Sequence, residues 1–213
     1  MASMAFQQTA GEGPLLLADI SGYTSFLQAV AAAHKDDAFA GGNVPEAYRM
    51  MSSLLDGIVG TIVPPFTLAK LEGDAVFAYA PMAADPPRGD GMLDCIRRCY
   101  ARFTADLAQV GGLWACTCDA CLRANTLDLK FILHAGPYVE QQIAGSRELI
   151  GPEVVMAHRL LKNNGAEAIG HGAYVLVTAA AASRLDVPVA SAVPMTETYE
   201  HYEPIEVFLF GLR

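Results

Sequence analysis

Two aspartates stand where short β-strands are expected to end. Asp19 closes the mostly apolar run PLLLADI at 14–20, and Asp74 follows the tip of the segment LEGD at 71–74. If the two strands are neighbours, the carboxylates lie side by side at one sheet edge. Two carboxylates that close repel unless a divalent cation holds them, and Mg²⁺ binds through one or two carboxylates together with substrate phosphates. The same spacing also admits a plainer reading, in which Asp19 caps the following helix and Asp74 is a turn residue.

A second constellation is the CTCDAC segment. Cys116, Cys118 and Cys121 lie close enough to wrap three thiolates around one Zn²⁺, and a structural zinc site takes four ligands. Cys95 or Cys99, one turn apart on a predicted helix, is the expected fourth ligand, with His134 and His158 as further candidates. The competing reading makes Cys95 and Cys99 ordinary small core residues. The expected role of such a centre is to pin an irregular loop. His134 also reads as a hydrogen-bonded strand-end histidine, and Trp114 as a packing anchor. The glycines form no P-loop or dinucleotide fingerprint, and a G-x-S-x-G elbow is absent.

Composition narrows the classes of function. The chain has 213 residues, 53% hydrophobic and 17% charged, enough for one sizeable domain with its own core and too apolar for a disordered chain. Mean hydropathy is +0.28. The longest apolar stretches, 58–66 and 173–182, are about half the roughly 20 residues of a spanning helix. No Lys or Arg precedes Lys35 and no long apolar region follows the first methionine, so no signal peptide and a cytoplasmic location are expected. A net charge of −9 disfavours nucleic acid and anionic membranes as partners, yet admits one nucleotide whose charge a metal offsets. An odd count of five cysteines favours metal binding or reduced thiols over disulfides.

The elements that must position these residues follow from periodicity. Residues 1–13 read as a flexible arm and 14–213 as a single domain with a Cys-rich insert at 112–125. A strand at 14–20 is followed by a helix from Tyr23 (Phe26, Leu27, Val30), a polar loop at 35–43, and a helix from Pro45 with Met51, Leu55, Ile58 and Ile62 at helical spacing. Strands at 66–70 and 75–80 flank the LEGD turn. A third helix carries Met92, Ile96, Cys99, Phe103 and Leu107, and 111–125 reads as irregular. Residues 126–135 alternate as a half-buried strand, and Gly136-Pro137 is expected to bend the chain into a second strand at 138–144. A helix at 153–162 and strands at 174–177, 194–199 and 205–210 complete the pattern. Hairpins mixed with helices predict an α+β fold, helices mainly on one face of an antiparallel sheet.

Read together and in order, ADISGYTSFL (18–27), KLEGDAVFAY (70–79), LKFILHAGPY (129–138) and GPEVVMAHRL (151–160) resemble the catalytic domain of class III adenylate/guanylate cyclases. The CxCxxC insert and the HRLLKN ending (158–163) resemble a bacterial branch of that superfamily. The likeness spans about 14–178. It implies a ferredoxin-like fold working as a head-to-tail homodimer on a nucleoside triphosphate, with Mg²⁺ or Mn²⁺. Asp19 and Asp74 match the metal-binding aspartates, with the carbonyl of Ile20 as a further ligand. Lys70 matches the purine-reading lysine, Glu148 falls where an Asp or Thr reads the adenine amino group, and Arg159 matches the arginine that stabilises phosphate charge in the transition state.

One departure bears on activity. Where the cyclase pattern places an Asn that orients the ribose, this chain has Val155, which cannot donate a hydrogen bond. The leading expectation is conversion of ATP to cyclic AMP and pyrophosphate. The alternatives are a non-catalytic nucleotide- or effector-binding module of the same fold, and a zinc-bearing interaction domain.

Overall fold

In the computed structural model the run at 14–20 belongs to an interior strand of the sheet. The structure describes residues 8–35, 44–113 and 116–213, with 110–113 as backbone only. Strand β1 (Gln8–Ser21) pairs antiparallel with β3 (Ala75–Tyr79) on one side and along its whole length with β4 (Asp128–Ile143) on the other. Its side chains alternate between two cores. Leu16, Ala18 and Ile20 enter one, and Leu15 and Leu17 enter the other. Burial on both faces is why this strand reads as a continuous apolar run.

Helices α1 (Tyr23–Ala33), α2 (Glu46–Ile62), α3 (Asp90–Leu113), α4 (Asp119–Leu122) and α7 (Ala179–Arg184) contribute to the first core. The second core lies under α5 (Pro152–Arg159) and α6 (Gly165–Ile169). In α2 the buried residues Ala47, Met50, Met51, Leu54, Ile58 and Ile62 trace one face, which includes the predicted Met51, Ile58 and Ile62, while Leu54 takes the place expected for the half-buried Leu55. The sheet order is β2-β3-β1-β4-β6-β8-β7, with β2 (Thr67–Glu72), β6 (Tyr174–Thr178), β7 (Val193–Glu197) and β8 (Ile205–Gly211). Strand β5 (Ser146–Ile150) adds to the far half of β4. The pair β4–β6 is parallel and the other described pairs are antiparallel. The architecture is the expected α+β sheet with most helices on one face.

Several expectations change. Strand pairing starts at Gln8, inside the segment read as an arm, while residues 1–7 lie outside the described residues. Gly136-Pro137 does not bend the chain, because β4 continues through it with Gly136 opposite Gly13 and Pro137 opposite Glu12. Gly136 serves a close approach instead: a Cβ there would lie 2.6 Å from Glu153 Cγ on α5. The insert is less irregular than expected, since α3 runs to Leu113 and α4 and a 3₁₀ turn (Arg123–Thr126) follow. Residues 36–43 of the predicted loop and Trp114 lie outside the described residues.

His134 joins three elements. Thr178 Oγ1 accepts from the Ala181 amide at 3.2 Å, capping α7, and its hydroxyl donates to His134 Nδ1 at 2.8 Å. His134 Nε2 then donates to Glu153 Oε2 at 2.6 Å, which fixes the neutral tautomer. Burial holds this imidazole below the ordinary histidine range despite the carboxylate. Among the described residues no helix is long and apolar enough to cross a membrane.

Leu17 is fully buried in the interior strand β1. Leu17→Ala is expected to lower the unfolding free energy by about 2–5 kcal/mol in urea titrations. A loss below about 1 kcal/mol would mean that the strand is not sandwiched as described.

Candidate functional site

The C-terminal end of β1 and the β2–β3 turn are tied together, and this brings the two aspartates into one place. Asp19 lies opposite Ala75 in the ladder, and the Ile20 amide donates to the Asp74 carbonyl at 3.2 Å. Asp19, Ile20 and Asp74 line an open pocket of about 400 Å³, together with Lys130 and residues 21–25. Gly22 turns the chain from strand into helix with φ 87°, a backbone region costly for residues with a Cβ. Lacking a side chain, Gly22 does not cap α1. The first intrahelical bond runs from the Phe26 amide to the Gly22 carbonyl, so the amides before it have no acceptor within the helix. The positive end of α1 therefore lies at the pocket.

Lys130 Nζ sits 3.0 Å from Asp19 Oδ2 and donates to the Leu161 carbonyl at 3.0 Å. Asp19 is thus engaged across the sheet and does not cap the helix. Burial, and then the nearby Asp19 charge, push the Asp74 carboxyl above its ordinary range. These are the conditions under which a cation between hard oxygen donors is favourable.

Lys70 and Glu148 meet elsewhere. Pairing of β5 with β4 brings Glu148 beside β2, and Lys70 Nζ lies 3.5 Å from Glu148 Oε2. They line a smaller pocket of about 190 Å³ with Glu72, Phe77, Arg147 and His158. His158 Nδ1 donates to the Val154 carbonyl at 2.7 Å, and the ring stands edge-on to Phe77 at 4.7 Å. Its Nε2 comes within 2.9 Å of Glu72 Oε2, but without hydrogen-bond alignment, so the approach is a charge contact at most.

Arg159 lies on a third surface. It shares a face of α5 with Val155 at the i,i+4 spacing, and both line an apolar pocket of about 470 Å³ with Val154, His158, Lys162 and Tyr199. The Arg159 guanidinium lies 5.4 Å from the centre of the Tyr202 ring. Val154 and His158 also line the Lys70–Glu148 pocket, so these two surfaces adjoin. The aspartate pocket shares no lining residue with either. One chain therefore gathers the candidate residues into two separate groups.

The cysteine expectation is half corrected. Cys116, Cys118 and Cys121 do converge, but neither Cys95 nor Cys99 joins them. Both are buried on α3, where the Cys99 thiol faces the Ile58 carbonyl at 3.9 Å and burial pushes it up to about 12. His134 and His158 are committed to the networks above. The fourth group is His34, just past the end of α1, whose Nε2 lies 3.6, 3.4 and 3.4 Å from the Sγ atoms of Cys116, Cys118 and Cys121. These four ligand atoms lie within 4.8 Å of one another. The Cys121 amide donates to Cys118 Sγ at 3.5 Å and draws that thiol down to about 6, while burial and the neighbouring thiols raise Cys121. His34 was legible only as a histidine at the end of an amphipathic helix.

Comparison with known proteins follows from this geometry. A family described as "Protein of unknown function (DUF2652)" matches residues 51–168, 118 of the 213 residues, and the chain belongs to that family. A Mycobacterium tuberculosis protein called "Uncharacterized protein Rv2561/Rv2562" is 32% identical over 155 residues. The alignment covers 71% of this chain, and the chain spans 66% of that relative, just under two thirds of its length. Among solved structures the guanylyl cyclase Cya2 superposes with a TM-score of 0.65 at 16% identity, covering 97% of this chain and 93% of that one. The adenylyl cyclase CyaB from P. aeruginosa gives 0.65 at 12% identity, with 95% of each chain covered. A bacterial light-regulated adenylyl cyclase gives 0.62 at 15% identity, over 98% of this chain and 54% of that one. The fold is that of the class III cyclase catalytic domains.

A raised carboxyl pKa in the folded state means that the ionised form costs stability above that pKa, and the cost disappears as pH falls towards the unfolded value. Asp74→Asn is therefore expected to stabilise the metal-free protein at pH 7, by no more than about 1 kcal/mol because water screens a half-exposed group. Thermal melts should show the gain shrinking towards pH 4. A destabilised variant at pH 7 would show that the carboxylate is a structural acceptor instead.

Proposed function

We propose that this protein binds a purine nucleoside triphosphate with Mg²⁺ or Mn²⁺ and converts ATP to cyclic AMP and pyrophosphate, in a site completed by a second copy of the chain. The observation that carries this reading is the convergence of Asp19, Asp74 and Ile20 on one pocket at the positive end of α1. Two carboxylates and a backbone carbonyl are a suitable hard donor set for either ion, and the raised Asp74 carboxyl marks a place where positive charge is wanted. Bound there, divalent ions would promote ionisation of the ribose 3′-hydroxyl and neutralise the leaving pyrophosphate.

The chain's own residues supply the rest. Asp19 and Asp74 hold the ions, with Lys130 tempering the charge on Asp19. The open amides of α1 favour phosphate oxygens. Lys70 donates to a ring nitrogen of the base and Glu148 accepts from its amino group, which opens the present 3.5 Å ion pair. Arg159 leaves the Tyr202 ring and donates its planar fork to phosphate oxygens as charge builds on them. That the base-reading and metal-holding groups share no pocket on one chain supports a head-to-tail homodimer, each copy supplying one half. In this reading the chain is a member of a bacterial branch of the class III superfamily, which the CxCxxC insert and HRLLKN ending support, and it acts in the cytoplasm.

Val155 favours a second reading. It is 48% exposed on the Arg159 face of α5, where it offers no donor to the ribose. A domain that binds nucleotide without turning it over is the consequence if positioning by the remaining groups is insufficient.

Mass-spectrometric product analysis with ATP or GTP and Mg²⁺ or Mn²⁺ tests both. Cyclic nucleotide made by wild type and lost in Asp74→Ala is the expected result. Val155→Asn is expected to raise the rate on the order of 10- to 100-fold by restoring a ribose contact. Nucleotide binding without product in either protein would leave the binding module. Absence of both binding and product would remove the nucleotide reading and leave an interaction domain.

A further inference from the structure

We propose that His34, Cys116, Cys118 and Cys121 form a Cys₃His zinc centre that clamps the C-terminal end of α1, the helix whose first turn lines the Asp19–Asp74 pocket. The inference does not depend on nucleotide binding and stands on geometry of its own.

Three sulfur atoms at 3.4–3.6 Å from a single imidazole nitrogen are not a hydrogen-bond arrangement that can be satisfied. A ring nitrogen either donates one hydrogen or accepts with one lone pair, so at most one thiol can use it. The same distances suit a tetrahedral ion. With Zn–S of about 2.3 Å and Zn–N of about 2.0–2.1 Å, the sulfur-to-nitrogen edge of a tetrahedron is about 3.5 Å. All the ligand atoms fall within 4.8 Å of one another, leaving room for one ion at their centre. The five cysteines are all free thiols. A donor set of soft thiolates with one imidazole selects zinc over Mg²⁺ or Ca²⁺, and four protein ligands make the site structural.

The position of His34 gives the centre its role. Helix α1 has 11 residues, too short to be stable alone, and its ends are weakly held. No side chain caps its start, no acid occupies its first turn and no base its last, and its buried residues are Phe26 and Val30. His34 is the C-cap residue, its amide bonded to the Val30 carbonyl. Through the metal it ties α1 to Cys121 on α4, across a core shared with Phe26, Val30 and Ala120. At 1.5 Å per residue the clamp lies about 16 Å along the helix axis from the pocket-lining turn. Fixing one end of so short a rod restrains the other, so zinc would hold residues 22–25 in register with Asp19 and Asp74.

The test uses the full chain purified with reductant and without chelator. Elemental analysis is expected to find about one zinc per chain, falling below about a fifth in His34→Ala and in Cys118→Ser and unchanged in Cys95→Ala. Cobalt exchanged into the wild type is expected to show the visible absorption of a tetrahedral thiolate site, lost in His34→Ala. Hydrogen exchange of peptides spanning 22–34 is expected to quicken about tenfold or more when zinc is stripped from the wild type, while α2 is unaffected. That measurement needs no variant and so survives a variant that fails to fold. Zinc below about a tenth of an equivalent in fully reduced protein would overturn the centre. Zinc kept by His34→Ala and lost by Cys95→Ala would overturn the ligand assignment. Equal exchange of α1 with and without zinc would overturn the clamp.

Discussion

Everything else in this fold depends on the Leu15–Asp19 stretch of β1 being enclosed on four sides. Its edges are paired with β3 and β4, and its two faces are covered by separate cores. Backbone groups so placed have no water to turn to, so the ladder must be complete and the side chains apolar until the strand ends. The end comes at Asp19–Ser21, where polarity returns abruptly. Asp19 is therefore presented from an enclosed strand, and Asp74 is held beside it through the bond from the Ile20 amide to the Asp74 carbonyl. Gly22 then redirects the chain in one residue, which sets the start of α1 directly beside them.

A common feature joins the candidate functional groups. Several are parked on a partner within the chain: Asp19 on Lys130, Lys70 on Glu148, Arg159 on the face of Tyr202. The partly exposed Lys70–Glu148 pair is of a kind typically worth about 0–1 kcal/mol, so a ligand can displace it at little cost, whereas the Asp19–Lys130 pair is mostly buried and held more firmly. The buried His134 network is different in kind. Its groups are satisfied among themselves, its histidine is held neutral by burial, and it joins β4, α5 and α7 as structure. Histidine within a network of this sort is held too firmly to serve a metal as well.

The distribution of these groups also constrains chemistry. The Asp19–Asp74 pocket and the Lys70–Glu148 pocket have no lining residue in common, while the surface carrying Arg159 adjoins the second. The surface around Val155 and Tyr199 is apolar, and Val155 stands where the resemblance expects a ribose-orienting Asn.

Sequence alone determined what local rules determine. The apolar run of β1, the helical spacing in α2 and α3, and the hairpin around Gly73 are legible because each is a short-range pattern. Asp19, Asp74 and the CTCDAC cysteines stand out by kind and position, whereas Lys70, Glu148 and Arg159 are singled out only by the resemblance to the cyclase motifs. What only the tertiary structure decided is long-range. Gly136 looked like a bend and is a contact surface for α5, because a missing side chain signals equally a turn or a close neighbour. The partner of the three cysteines is not one of the nearby cysteines but His34, 82 residues before Cys116. No local pattern records that choice. It is made where α1 and α4 pack together, since burial of their apolar faces is what carries an imidazole to the thiols.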